Sequence, residues 1–254
     1  MAFNIFKQAI GMLWNNLGDA LRVSLIPLLI AFVFTLAAVM IVLGGTGIFS
    51  GAVMDDAAAM AMFTSPATWL AAIIIIAVYV VCLAWAAVGW HRYVLLEEKP
   101  SGFMPKWHGA EIKSYVGYMV VLFLVAIVVA IAAGIVGSVG ALLGPLVVVV
   151  FVILAIVMMA IFYCLSIALP SRAIGEKMGL GQSWAAGKPH FKTMLMLAVI
   201  VIIFSLVLGL VSGFLGLIPV VGIIVEIVVQ WFNTMLGISI LTALFGVFVQ
   251  NRDV

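Results

Sequence analysis

Apolar residues fill long stretches of the chain, and six of these stretches are long enough to cross a bilayer as helices. A transmembrane helix needs about 20 mostly apolar residues, because each residue adds about 1.5 Å across about 30 Å of hydrocarbon. The pattern predicts spans at residues 23–43, 68–90, 115–139, 146–169, 194–217 and 223–249. Trp69 and Trp90 bracket the second span, so we expect both indoles at the membrane interfaces.

The segment before the first span has a different pattern. Phe3, Phe6, Ile10, Leu13 and Leu17 recur at steps of three and four residues, which is the spacing of one face of an α-helix. Polar residues occupy the other faces of the same segment. The pattern predicts that residues 1–20 form an amphipathic helix lying in the cytoplasmic interface of the membrane.

Composition agrees with a membrane protein and excludes an ordinary soluble domain. Of the 254 residues, 67% are hydrophobic and 8% are charged, whereas soluble domains are about a quarter charged. The segments between the spans are too short to build a soluble core. We therefore expect an all-α fold, with residues 1–254 as a single multi-pass membrane domain. The first apolar run begins only after Arg22 and lacks a small-residue cleavage site, so we expect no cleavable signal peptide.

Basic residues predict the orientation of the spans. All 11 Lys and Arg residues lie before the first span, between the second and third, between the fourth and fifth, or after the sixth. Segments 44–67, 140–145 and 218–222 contain none, and the first of them carries Asp55 and Asp56. Since Lys and Arg accumulate in cytoplasmic loops, both termini and both basic loops are predicted to be cytoplasmic.

The spans pair into three predicted helical hairpins with similar flanking residues. A lead-in with Trp14, Trp107 or Trp184 precedes each pair, and a proline lies in each outer turn. Two explanations stay open. The hairpins are copies of an internal repeat, or they share the Trp, Lys and Pro placement that any membrane hairpin shows.

Two short segments resemble known bacterial membrane proteins. The run Ala-Leu-Pro-Ser-Arg-Ala-Ile-Gly-Glu at residues 168–176 is followed by Gly-Gln-Ser-Trp at 181–184 and a new apolar span. This arrangement resembles the multi-pass membrane domain attached to glycerophosphodiester phosphodiesterases, and its stand-alone relatives. The segment at 89–97 resembles a stretch found in proteobacterial inner-membrane proteins. The resemblance implies the bacterial inner (cytoplasmic) membrane and no particular activity, since these membrane families share no agreed activity. The soluble phosphodiesterase domain and its carboxylate metal ligands are absent from this sequence.

Motifs of common enzymes are missing from the sequence. It contains no HExxH, GxSxG, P-loop or CxxC motif. We expect no enzyme activity, no cofactor, and no catalytic or metal-binding residues. Cys82 and Cys164 stand alone within apolar runs, which is typical of small buried apolar side chains.

The histidines and paired glycines have simple predicted roles. His91, His108 and His190 all map to the basic side, where contact with headgroups or carbonyls is more common than metal binding. Gly209 and Gly213 have GxxxG spacing within the fifth span, which favours close packing of two helices.

Glu226 is the one acidic residue inside a predicted span. Glu226, Gln230 and Asn233 fall within about 60° of each other on one helix face. Because a carboxylate in hydrocarbon costs a few kcal/mol, we expect this stripe to face other helices or a wet cavity. Two roles stay open: a proton, cation or substrate path, or hydrogen bonding between helices.

Basic residues of the second cytoplasmic loop are candidate contacts for lipid headgroups. They are Arg172, Lys177, Lys188 and Lys192.

The leading functional hypothesis is a non-catalytic integral membrane protein acting through helix–helix and lipid contacts, such as an accessory or assembly subunit of a larger membrane complex. The alternative is a transporter or lipid-handling protein that uses the polar stripe on the sixth span. The expected partners are membrane lipids and other integral membrane proteins, and nucleic acid is not expected.

Overall fold

The computed structural model describes most of the chain. It covers residues 1–42, 60, 64–100, 102, 104–140, 144, 146–218 and 220–253. Asp55, Asp56, Pro145 and Pro219 lie outside the described residues. Within the described ranges the regular secondary structure is entirely helical, so the predicted all-α class is confirmed.

Nine α-helices account for the described part of the chain. They are α1 Ala2–Asn15, α2 Leu17–Val42, α3 Pro66–Leu96, α4 Gly109–Gly140, α5 Val147–Ser166, α6 Ala168–Ala173, α7 Leu180–Gly187, α8 Phe191–Leu215 and α9 Val221–Phe248. A 3₁₀ turn, Lys188–His190, joins α7 to α8.

Six helical segments are long and apolar enough to cross a membrane, as predicted. They are Leu17–Met40, Pro66–Leu96, Gly109–Ser138, Val147–Ala173, Leu180–Leu215 and Val221–Phe248. Several continue beyond the predicted spans at the end that carries Lys and Arg. For example, α3 continues to Leu96 and α4 begins at Gly109. Hydropathy marks the edge of the hydrocarbon, and a helix does not have to end there.

A break between α5 and α6 has a clear chemical cause. Pro170 has no N–H, and its ring clashes with the backbone four residues earlier. The hydroxyl of Ser183 is inserted into the helical ladder just before Pro170. It accepts a bond from the Ala168 N–H at 3.0 Å and lies 2.8 Å and 2.7 Å from the carbonyl oxygens of Cys164 and Leu165. A side chain inserted into the helical ladder is a known cause of such a bend.

Gly187 lets α7 approach α5 closely enough for Ser183 to make these bonds. A Cβ placed on Gly187 would lie 2.7 Å from the Cβ and 2.8 Å from the Cα of Cys164. Both cysteines are buried and free, as predicted.

A Cβ placed on Gly209 or Gly213 would have no described atom within 4 Å. Within the described residues this pair therefore packs against no other helix of the chain.

Buried side chains concentrate at one end of the molecule, which we call the packed end. Its buried residues lie within residues 82–95, 112–122, 160–173, 194–198 and 235–247. Trp90 belongs to this core, with 0% exposure and its ring 5.4 Å from that of Tyr93. The indole of Trp90 is therefore covered by other helices instead of being exposed at the membrane interface, and α3 continues past it. Trp69 is exposed.

The opposite half of the helices is much less packed, and we call it the open half. It comprises residues 66–80, 123–138, 146–158, 205–218 and 220–230. Within these segments only Gly137 and Gly222 are buried. In the part of α8 and its following turn from residue 205 to 218, only Leu208 and Ser212 are even half-buried. These two residues are one turn apart, so α8 is exposed around most of its circumference here.

The N-terminal helix α1 packs on the rest of the protein. Its buried side chains, Ala2, Ile5, Phe6, Ala9 and Leu13, face α8 and α9. This face differs from the predicted apolar face, since Phe3 is 63% exposed and Ile10 is half-buried. Small residues at positions 2 and 9 allow close contact with neighbouring helices, a signal that a search for large apolar residues does not detect.

Gly187→Ala tests the close approach of α7 to α5. The added methyl would meet the Cys164 backbone, so we expect a loss of about 1–3 kcal/mol in the free energy of unfolding. Gly181→Ala is the matched control on the same helix, because its Cβ would enter open space. Thermal unfolding in one detergent compares the two. An equal response of both variants would contradict this description of the contact.

Candidate functional site

His91 forms a buried polar cluster at the packed end. Its side chain is 0% exposed. The Nδ1 atom lies 2.8 Å from the Thr242 hydroxyl of α9, and Nε2 lies 3.3 Å from the Tyr115 hydroxyl of α4. One imidazole thus joins three membrane-length helices.

The proton positions in this cluster follow from the partners. The Thr242 hydroxyl donates to the Ile238 carbonyl at 3.0 Å, so toward His91 it is an acceptor. The Nδ1–H of His91 therefore donates to Thr242, and Nε2 accepts from the hydroxyl of Tyr115. With a neutral imidazole, the side chains of His91, Thr242 and Tyr115 each have a hydrogen-bond partner. This arrangement ties α3, α4 and α9 together through one buried side chain.

Arg172 is held inside the protein by groups from neighbouring segments. Its guanidinium donates to the Ser114 hydroxyl at 3.1 Å and to the Met178 carbonyl at 3.0 Å. It also lies 4.6 Å from the centre of the Tyr118 ring, a cation–π contact. Tyr118 in turn donates to the Leu165 carbonyl at 2.8 Å. These contacts tie α4 to the broken α5–α6 segment.

Lys177, Lys188 and Lys192 differ from Arg172 in being exposed. The predicted headgroup contacts therefore divide into two kinds. The three lysines stay accessible to lipid, whereas the donors of Arg172 are directed at the protein.

Glu98, two residues after the end of α3, lies close to several basic side chains. Its carboxylate accepts from Arg92 Nε at 2.7 Å, lies 3.2 Å from His108 Nε2, and lies 3.9 Å from Lys106 Nζ. Arg92 also lies 3.9 Å from Glu111 and donates to the Ala173 carbonyl. The linking segment between α3 and α4 is thereby tied to the end of α6.

The pKa of Glu98 is lower than usual. Burial raises this pKa, but the hydrogen bond and charge of Arg92 oppose burial, and the charges of His108 and Lys106 add to the opposition. The net pKa shift is downward. An acid with a lower pKa in the folded state stabilises the fold above its unfolded-state pKa, and this stabilisation is lost as the pH falls through the folded-state pKa.

An open cleft of about 330 Å³ lies between α5, α8 and α9, within the membrane-length helices. We call it the α5–α8–α9 cleft. Its walls are mostly apolar, and its polar side chains are Tyr163, Ser166, Ser205 and Asn233. Polar groups in an apolar cleft can orient a bound molecule by hydrogen bonding.

The predicted polar stripe on α9 is divided by the structure. Asn233 is half-buried and lines the α5–α8–α9 cleft, as does Gly237. Glu226 and Gln230 are exposed, and neither side chain bonds to another described residue. They lie on the open half, where no other helix of the described residues covers them, and whether a wet cavity or another helix faces them stays a prediction.

Comparisons with known proteins add no assignment. No family model, curated protein or solved structure matches the chain. The resemblance to the membrane domain attached to glycerophosphodiester phosphodiesterases stays a prediction.

Sequence reasoning missed the buried His91 cluster and the role of Ser183. The sequence signal for His91 is its place between Trp90 and Arg92. If the helix continues past the end of the apolar span, a histidine at this place can face the core. The partners Tyr115 and Thr242 lie 24 and 151 positions away, so only the packing of the helices reveals them.

Thr242→Val tests the His91 cluster. The substitution keeps the side-chain shape but removes the acceptor of the buried His91 N–H, and an unpaired buried donor costs about 1–3 kcal/mol of unfolding free energy. Thr234→Val is the matched control on α9, because Thr234 also donates to a carbonyl one turn earlier but is exposed to the surroundings. We expect the control to change stability by about 0.5 kcal/mol or less. If Thr242→Val and Thr234→Val lower the thermal unfolding midpoint equally, the N–H of His91 needs no acceptor.

Glu98→Gln tests the ion-pair cluster through its pH dependence. At neutral pH we expect roughly 1 kcal/mol or less of lost stability, the range of partly exposed ion pairs. The difference from wild type should shrink as the pH falls through the lowered pKa of Glu98, because the native carboxylate is then protonated as well. Glu97→Gln removes a neighbouring exposed carboxylate and is the control. The unfolding midpoints of wild type and the two variants are measured across pH. A difference between Glu98→Gln and wild type that grows in acid would refute the ion-pair role of Glu98.

Proposed function

We propose that this chain is a non-catalytic integral membrane protein that acts through helix–helix and lipid contacts, as an accessory or assembly subunit of a larger membrane complex. The open half is the observation that carries the proposal. Its helices present apolar side chains around most of their circumference, while the packed end holds them together. Membrane helices associate by close packing and by interhelical hydrogen bonds, and the open half leaves surface free for both.

Small and polar residues mark where a partner helix would pack. Ser205, Gly209 and Gly213 follow each other at four-residue steps along α8, and the two glycines have open space beside them. Such spacing lets a second backbone approach closely. The first of these three residues, Ser205, lines the α5–α8–α9 cleft. Asn233 also lines this cleft and is available as a hydrogen-bonding group.

The proposal includes an orientation and a location. The spans form three hairpins, with both termini and the packed end in the cytoplasmic half of a bacterial inner membrane. The distribution of all 11 Lys and Arg residues supports this orientation. On α1, Phe3, Lys7 and Trp14 are exposed and share one helix face, which suits a helix lying in the interface.

Lipid handling is the second candidate function, and the lining of the α5–α8–α9 cleft favours it. The cleft opens within the membrane-length helices and is mostly apolar, with Tyr163, Ser166, Ser205 and Asn233 as its polar groups. A lipid chain could occupy it, with a polar linkage bonded to these groups.

Gly209→Ile with Gly213→Ile tests the accessory-subunit proposal. We expect the wild-type protein at native abundance to leave the membrane in mild detergent as a stoichiometric complex, and this double variant to leave as free protein, because the added side chains block the partner helix. Gly117→Ile with Gly134→Ile is the control, since both positions on α4 also have open space. Native gels and unfolding midpoints are the measurements.

A wild-type protein that runs free at native abundance would contradict the proposal. If Asn233→Leu instead abolishes lipid flux in proteoliposomes and leaves the unfolding midpoint unchanged, lipid handling replaces it.

A further inference from the structure

A second cleft, of about 230 Å³, opens at the packed end. It lies between the start of α2, the last turns of α3 and the segment that links α3 to α4. Val23 and Gly89 line it from the spanning helices, and Arg92, Lys99, Lys106 and Glu98 are among its charged residues. Sites for drug-sized ligands hold roughly 300–1,000 Å³. This cleft therefore suits a fragment the size of a headgroup.

The charge of this cleft is positive after its internal pairs are considered. Arg92, Lys99 and Lys106 line it against one carboxylate, Glu98. Glu98 is engaged mainly by Arg92 at 2.7 Å and His108 at 3.2 Å, and these contacts hold the wall in place.

Two ammonium groups keep capacity for an incoming anion. Lys106 is 3.9 Å from Glu98 and its side chain is 73% exposed. Lys99 is exposed and forms no ion pair with another residue in the part of the chain that the structure describes. Each ammonium has three donor hydrogens, and both residues line the cleft, so each has donors for a phosphate bound there.

The neighbouring tryptophans place the cleft at the level of the headgroups. Trp107 follows Lys106 directly and is 55% exposed. Its ring meets the ring of Trp85 edge-on at 5.1 Å, and the Trp85 indole N–H donates to the Lys106 carbonyl at 3.3 Å. Exposed tryptophan is enriched where hydrocarbon meets headgroups. Lys106 is thus fixed beside an interfacial anchor.

We propose that this cleft binds the phosphate group of an anionic phospholipid. Lys99 and Lys106 contact the phosphate, Arg92 and Glu98 form the fixed polar wall, and Val23 and Gly89 face the first carbons of the lipid. The site is separate from the α5–α8–α9 cleft and does not depend on the accessory-subunit proposal. A soluble phosphate ester has the same anionic group, so the test must distinguish the two sources.

The test is a binding titration of the delipidated full chain in mild detergent, read by native mass spectrometry. The ligands are phosphatidylglycerol, phosphatidylcholine and glycerol 3-phosphate. For Lys99→Gln with Lys106→Gln we expect phosphatidylglycerol to bind about 25-fold more weakly, or about fivefold per lysine. Lys7→Gln with Lys113→Gln removes the same charge from exposed positions outside the cleft and should leave this affinity nearly unchanged. Phosphatidylcholine should bind the wild type more weakly than phosphatidylglycerol.

Three results would overturn the proposal. Equal losses in the two double variants would show that only overall charge matters. An unchanged affinity after removal of Lys99 and Lys106 would exclude the cleft. Glycerol 3-phosphate binding as tightly as the lipid would assign the site to a soluble phosphate ester. If the unfolding midpoint of the first double variant falls, Lys99→Gln alone carries the test, with about a fivefold loss expected.

Discussion

A polar group inside a membrane protein must be paired by another protein group, because the surrounding hydrocarbon offers no partner. In this chain the pairs that join separate helices lie mostly at one end. His91 links α3 to α9 and α4, Arg172 links α6 to α4, and Ser183 enters the interrupted helix at Ala168. Apolar packing in hydrocarbon is weakly specific, since lipid tails are as apolar as the side chains they replace. The paired polar groups therefore fix the contacts among α3, α4, α9 and the interrupted α5–α6 segment.

The open half follows from the same constraint. Beyond the packed end, the helices carry few polar side chains and few close contacts, and their apolar residues are equally stable against lipid or another helix. Glu226 and Gln230, which have the most polar side chains there, are exposed. Asn233 and Ser205 line the α5–α8–α9 cleft between the two regions.

Much of the architecture could be predicted from the sequence, and the limits of that prediction have physical causes. Long apolar runs specify six membrane-length helices, because length and hydropathy are local properties. Which face of a helix meets another helix is not local when every face is apolar. For this reason Trp90 was expected at the interface but is buried, and Gly209 was expected in a helix contact but is open. The close glycine is instead Gly187, within a short segment whose hydropathy carries little signal.

The central claim is that the helices are packed together at one end and open at the other, and a nitroxide scan along α8 tests it most directly. Single cysteines would be introduced from Phe191 to Leu215 into a chain whose Cys82 and Cys164 are replaced by serine or alanine, spin-labelled, and reconstituted alone in lipid bilayers. The account predicts that oxygen accessibility oscillates with the helical period of about 3.6 residues near Met194, Leu197 and Ala198, which are buried, and becomes high on nearly all sides beyond residue 205. A strong oscillation that continues to the end of α8 would show a closed bundle interior and contradict it.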